Sequence, residues 1–162
     1  MAKILDGRVA REALKKELTE QITALSFVPS LAVVQVGSLP ASTSYIKQKI
    51  KFGEALGLKV THLCLPNNIS LAELQTVIIK LNQDQTVQGI IVQLPLPNQL
   101  DVFAVIETID PKKDVDGLTA KNLKILWSRK NTGFIPATAR GVVTLLDYYQ
   151  IPLKGRRAVV VG

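Results

Sequence analysis

The sequence is short of cysteine, histidine and aromatic residues. It has one cysteine, one histidine, one tryptophan and 5% aromatics in 162 residues. With Cys64 alone, no intrachain disulfide can form, and a reducing cytoplasm is the natural compartment. Cys64 lies in an apolar, strand-like run and reads as a buried thiol. His62 has no companion cluster of ligand-type residues, so it reads as structural and no metal site is expected. No apolar run reaches the length of a membrane span, and the N-terminus, MAKILDGRVARE, lacks the apolar core of a secretory signal. The formal charge is +7, but the basic residues are spread along the chain. No helix-turn-helix or RNP-like motif accompanies them, so neither nucleic acid nor membrane is an expected partner. An anionic small substrate would suit a basic cleft equally well.

What is present is core-forming. Hydrophobic residues make up 47% and charged residues 20%, which suits a globular domain. Residues 6–25 read as an amphipathic helix capped by Asp6, with Val9, Ala13, Leu14, Leu18, Ile22 and Leu25 inward. Leu31 to Val36 is a nearly continuous apolar run, as in a strand buried on both faces of a parallel sheet. Lys59 to Leu65 reads as a second strand. Ser70 and Glu73 form a capping box before a helix carrying Leu74, Val77, Ile78 and Leu81. Val87 to Leu94 is a third strand. A short helix over 101–109 follows, with Val102, Val105, Ile106 and Ile109 inward. Residues 120–128 read as a helix with Leu123, Leu126 and Trp127 inward. Thr138 is the expected cap of a helix through Tyr149. The final GRRAVVVG reads as a buried strand reaching Gly162. The pattern is an α/β, three-layer α/β/α fold with a mainly parallel sheet.

The stretch Ser38 to Leu58 holds the most informative residue. On a helix over 44–57, Tyr45, Ile46, Lys49, Ile50, Phe52, Gly53 and Leu56 share one arc about 160° wide. Lys47, Lys51 and Glu54 fall on the opposite side. Lys49 therefore sits within the apolar arc, one turn after Tyr45. It either snorkels, stem on apolar surface and ammonium in water, or it is a partly desolvated amine usable as a general acid/base. Two further positions stand out. Gln93 closes the third strand, and ligands of open α/β sheets sit beyond the carboxyl ends of strands. In KDVDGL, residues 113–118, two acids bracket one apolar residue before a glycine. That is either a plain turn or a carboxylate held at the rim of the strand ends.

Four separated stretches resemble one family when taken together. They are VQVG-x-x-x-AS-x-x-YIKQK-x-K, VQGIIVQLPLP, KDVDGL and the terminal GRRAVVVG, in that family's order and spacing. The chain is similar to the FolD family of bifunctional methylenetetrahydrofolate dehydrogenase/cyclohydrolases. The resemblance implies that Lys49 is the catalytic acid/base and that Tyr45 lines the folate pocket against the aminobenzoyl ring. It implies that Gln93 hydrogen-bonds and tunes the lysine, and that Asp116 holds the pterin. It implies NADP as cofactor, tetrahydrofolates as substrates and a homodimeric full-length protein. Residues 1–140 would form the folate-binding catalytic domain. Residues 141–162 would form a linker helix and the first strand of a truncated, Rossmann-type NADP-binding domain, whose cofactor loop begins at Gly162. Most of the cofactor site would then lie outside this chain, which is expected to be weak or inactive as a dehydrogenase. One departure is visible: PATARG, with Ala137 and Ala139, stands where the family has P-C-T-P-x-G.

Overall fold

The computed structural model describes residues 4–128 and 132–161. The elements run in the order α1 (Gly7–Thr23), β1 (Ser30–Val36), α2 (Pro40–Ala55), β2 (Lys59–Leu65), α3 (Leu71–Gln83), β3 (Gly89–Val92), α4 (Val102–Ile106), α5 (Ala120–Trp127) and α6 (Ala137–Tyr148). The three strands form a parallel sheet in the order β2-β1-β3. β1 is central, which explains its apolar run: it must satisfy a packed layer on each face.

Alternation along β1 divides the core. Ala32, Val34 and Val36 join Ile90, Val92, Leu74, Ile78, Val105 and Ile106 in the larger cluster, under α3 and α4. Val33 joins Ile46 and Ile91, with Leu31, Ile50, Val60 and Val115 packed around them, under α2. These are the three expected layers. The capping box forms as the sequence predicts: Ser70 Oγ accepts from the Glu73 amide, and the Ser70 amide donates to the Glu73 carboxylate.

Several expectations are corrected. α2 begins at Pro40 rather than residue 44, because proline at the first helical position loses no hydrogen bond. α6 begins at Ala137 with Pro136 as its cap, and Thr138 makes no capping bond. The expected domain boundary at residue 140 therefore falls inside this helix. β3 ends at Val92, although the Gln93 amide still donates to the Val34 carbonyl at 2.8 Å. Cys64 is exposed rather than buried, because β2 is an edge strand and α2 covers that face only as far as Val60. Residues 155–161 form no strand, and Val159 to Val161 lie open to solvent. The segment pairs with none of β1, β2 and β3. Val9, Leu18 and Leu25 of the α1 region are exposed, since α1 meets α6 and Phe52 across an open groove. In α5, Leu123, Leu126 and Trp127 are exposed, and the buried residue is Asn122. Val102 is also largely outside the core.

Leu74, fully buried in the larger cluster, and Val160, 94% exposed, give a sharp contrast. Leu74→Ala is expected to lower unfolding stability by about 2–5 kcal/mol. Val160→Ala should stay within about 0.5 kcal/mol of the parent. Urea unfolding of the two variants checks this, and comparable losses would contradict the assignment of the core.

Candidate active site

The topology itself points to the site. β1 leads through α2 to β2 on one side, while β3 lies on the other side of β1. The crevice beyond the carboxyl ends of β1 and β3 is therefore the switch point where α/β sheets take ligands. Ile91 faces α2, so Gln93, two residues later, projects toward the same layer. There it meets Lys49. The Lys49 Nζ donates to Gln93 Oε1 at 3.1 Å, and Gln93 Nε2 donates to the Leu94 carbonyl at 2.7 Å. Both ends of the glutamine amide are thus committed, which fixes its oxygen toward the lysine. Lys49 is half-buried, as its position in the apolar arc predicts. Tyr45, one turn earlier, is 68% exposed and stands at the open rim rather than inside.

Each residue of the KDVDG stretch has a separate job. Lys113 Nζ donates to the Leu81 and Asp84 carbonyls, closing the end of α3. The Lys113 carbonyl accepts from the Ile90 amide at 2.7 Å, which lays this stretch beside β3. Asp114 is 1% exposed, and its Oδ2 accepts from the Thr119 amide at 2.8 Å and from Asn122 Nδ2 at 2.9 Å. Val115 packs into the α2-side core. Gly117 has a φ of +69°, and a Cβ there would lie 2.7–2.9 Å from backbone atoms of residues 134–136. Only glycine makes that turn at that distance.

Asp116 is left facing the site. Burial pushes its carboxyl above the ordinary range; the Lys49 ammonium opposes this and Asp114 adds to it. Desolvation thus outweighs the attraction of the lysine. The structure thus brings Lys49 and Gln93 into hydrogen-bond contact and sets Asp116 within electrostatic range of Lys49, with Tyr45 exposed one turn before the lysine. Gly162, expected at the start of a cofactor loop, lies outside the described residues.

Two polar groups escaped the sequence reading. Gln35 is 2% exposed in β1; its Nε2 donates to Thr43 Oγ1 at 3.1 Å, and its Oε1 lies 2.9 Å from His62 Nε2. This ties β1, α2 and β2 together beside the crevice and gives His62 a structural partner. The signal was a lone glutamine in an apolar run. Asn122 is the other, a polar residue on the face it shares with Ile125. A cavity of about 720 Å³ lies elsewhere: an apolar groove between α1 and α6 that includes Phe52 and Val115 but none of Lys49, Gln93 or Asp116. We place the chemistry at the switch point because the groove brings no carboxylate and no lysine to its walls.

Residues 5–116 match the family described as tetrahydrofolate dehydrogenase/cyclohydrolase, catalytic domain. The bifunctional protein FolD 2 of Lactobacillus johnsonii is 42% identical over the whole of this chain, which covers 58% of that relative. A FolD methylenetetrahydrofolate dehydrogenase/cyclohydrolase structure from Campylobacter jejuni superposes with a TM-score of 0.90 at 39% identity, covering 92% of this chain and 54% of that one. The Trypanosoma brucei enzyme, solved with NADP cofactor and inhibitor, has a TM-score of 0.90 at 32% identity, covering 95% of this chain and 54% of that one. The chain spans a little over half the length of the relatives it matches.

The raised Asp116 carboxyl yields a test. Its native proton affinity exceeds the unfolded one, so ionisation costs stability as pH rises from the unfolded value, about 3.9, through the raised native value. Asp116→Asn removes that cost. The variant should melt above the parent at pH 7, and the gap should close below about pH 4. A variant that melts below the parent at pH 7 would contradict burial as the governing influence.

Proposed function

This chain belongs to the tetrahydrofolate dehydrogenase/cyclohydrolase family, and we propose on that footing that it is the folate-binding, acid/base half of a bifunctional enzyme of one-carbon metabolism. The observation that supports this most is the Lys49 ammonium held at 3.1 Å by Gln93 at the switch point, with Asp116 close enough to feel its charge. The whole protein would oxidise methylenetetrahydrofolate to the methenyl form with NADP and hydrolyse that to formyltetrahydrofolate.

The hydrolytic step needs only proton management. Water adds to the methenyl carbon and gives up a proton. The bond from that carbon to the pterin-ring nitrogen then breaks as the new hydroxyl loses its proton and becomes the formyl C=O; the nitrogen takes one proton, and the formyl group stays on the aminobenzoyl nitrogen. One proton is released overall. Lys49 would accept and return protons here, oriented by Gln93. Asp116 would receive the pterin's N–H groups, and Tyr45 would stack on the aminobenzoyl ring.

The described residues do not fit NADP. The turn between β1 and α2 holds one glycine, Gly37, followed by Pro40 at the first helical position, which has no N–H for a pyrophosphate. No hydride step is therefore derived through this chain. NADP belongs in this reading to the remainder of the full-length protein, with residues 141–162 leading toward it. The same reading makes that protein a cytoplasmic homodimer supplying one-carbon units for purine synthesis. The lone cysteine supports the cytoplasmic part. Among the described residues, no helix is long and apolar enough to cross a membrane.

A second reading, folate binding without turnover, is favoured by the openness of the site, with Tyr45 68% exposed. Calorimetric titration with a stable tetrahydrofolate analogue, beside an absorbance assay of methenyl loss, separates the two. The parent is expected to bind and hydrolyse. Lys49→Met should retain binding but lose hydrolysis by at least about 100-fold. Binding without hydrolysis by the parent would select the second reading, and absence of binding would overturn both.

A further inference from the structure

Asp114, Thr119 and Asn122 form a buried polar cluster behind the site, exposed by 1%, 1% and 2%. Asn122 uses its whole amide. Its Nδ2 donates to the Pro111 carbonyl at 3.0 Å and to Asp114 Oδ2 at 2.9 Å, and its Oδ1 accepts from the Phe134 amide at 3.2 Å. That last bond anchors a strap, residues 133–137. The strap lies within van der Waals reach of Gly117, and its Ala137 amide donates to the Asp116 carbonyl at 3.2 Å. Ala137 is also the first residue of α6. The strap is thus fastened at one end to Asn122 and at the other to Asp116, and α6 starts where it ends.

The packing leaves no slack. A Cβ at Gly133 would lie 2.9 Å from Asn122 Oδ1 and 3.0–3.1 Å from Ile125 side-chain atoms. Asn122 cannot swing away, because three hydrogen bonds hold it. The Asp114 carboxylate that orients it is itself held by the Thr119 amide. A simple core-filling role would be served equally well by leucine, which makes none of these bonds.

We propose that Asn122, oriented by Asp114, is a positioning residue: it fixes the 133–137 strap against Asp116, so that the start of α6 and the site carboxylate move as one body. This rests on the folate reading only in calling Asp116 a substrate contact. The mechanical link between Asn122, the strap and Asp116 stands without it. Any displacement of α6 would then be felt at Asp116, while Lys49 and Gln93, carried by α2 and the end of β3, stay in place.

The test uses the intact chain with two variants. Asn122→Ala removes the anchor. Gly133→Ala keeps every polar group but forces the strap away from Asn122. Amide hydrogen exchange at Phe134 and Ala137, carboxyl titration of Asp116 by carbon NMR, and affinity for a tetrahydrofolate analogue are measured on each. Lys49 and Asp114 are the charged groups acting on Asp116, and neither variant removes them. Exchange at both amides should quicken at least about tenfold in both variants, while Leu74 and Ile78 of α3 remain protected. The Asp116 midpoint should fall toward the ordinary carboxyl value as the strap admits water. Affinity should drop by about tenfold, and the drop should vanish in an Asp116→Ala background. Unchanged exchange at Ala137 and an unchanged Asp116 midpoint would overturn the proposal. If the parent fails to bind the analogue, the folate reading fails, while the exchange and titration results still decide this one.

Discussion

β1 has to bury both of its faces, and the rest of the structure depends on that requirement. One set of its side chains packs under α3 and α4 and the alternate set packs under α2. The parallel register with β3 then fixes which residues of β3 share each face. Ile91 faces α2, so Gln93 does too, and α2 presents Lys49 where Gln93 emerges. A one-residue slip of β3 would turn Gln93 toward α3 and leave the lysine without its partner.

The site mixes two kinds of control over charge. Lys49 keeps part of its hydration and gains a neutral amide acceptor, so its charge is held in place rather than cancelled. Asp116 is governed by burial, which outweighs the nearby ammonium. The two charges are near enough to act on each other, yet the one ion pair within 4.0 Å among the described residues is Arg11–Glu12, at 3.0 Å on the surface. A lysine locked to a carboxylate could not readily exchange protons with a ligand.

Much of this was legible in the sequence, for local reasons. The apolar run of β1, the capping box of α3 and the place of Lys49 in the α2 arc depend on spacing alone, and the structure keeps them. What was not legible depends on which elements meet. Cys64 is exposed because β2 is an edge, and strand order is not written in one strand. The inward face of α5 was misjudged because Asn122 is buried through bonds to Asp114, Pro111 and Phe134, all in the loops on either side of its helix. Apolar count favoured Leu123, Leu126 and Trp127, and hydrogen bonding overrode it. Val159 to Val161 have strand composition, yet they stay outside the sheet and exposed, because composition does not say which edge a segment meets.

The central claim is that the crevice between β1 and β3, and not the apolar groove between α1 and α6, receives the ligand. A crystal structure of this chain with a stable tetrahydrofolate analogue tests it most directly. The account predicts a ring stacked on Tyr45, a pterin on Asp116 and the one-carbon position beside Lys49 Nζ. An analogue seated in the α1–α6 groove, with Lys49 still bonded only to Gln93, would contradict it.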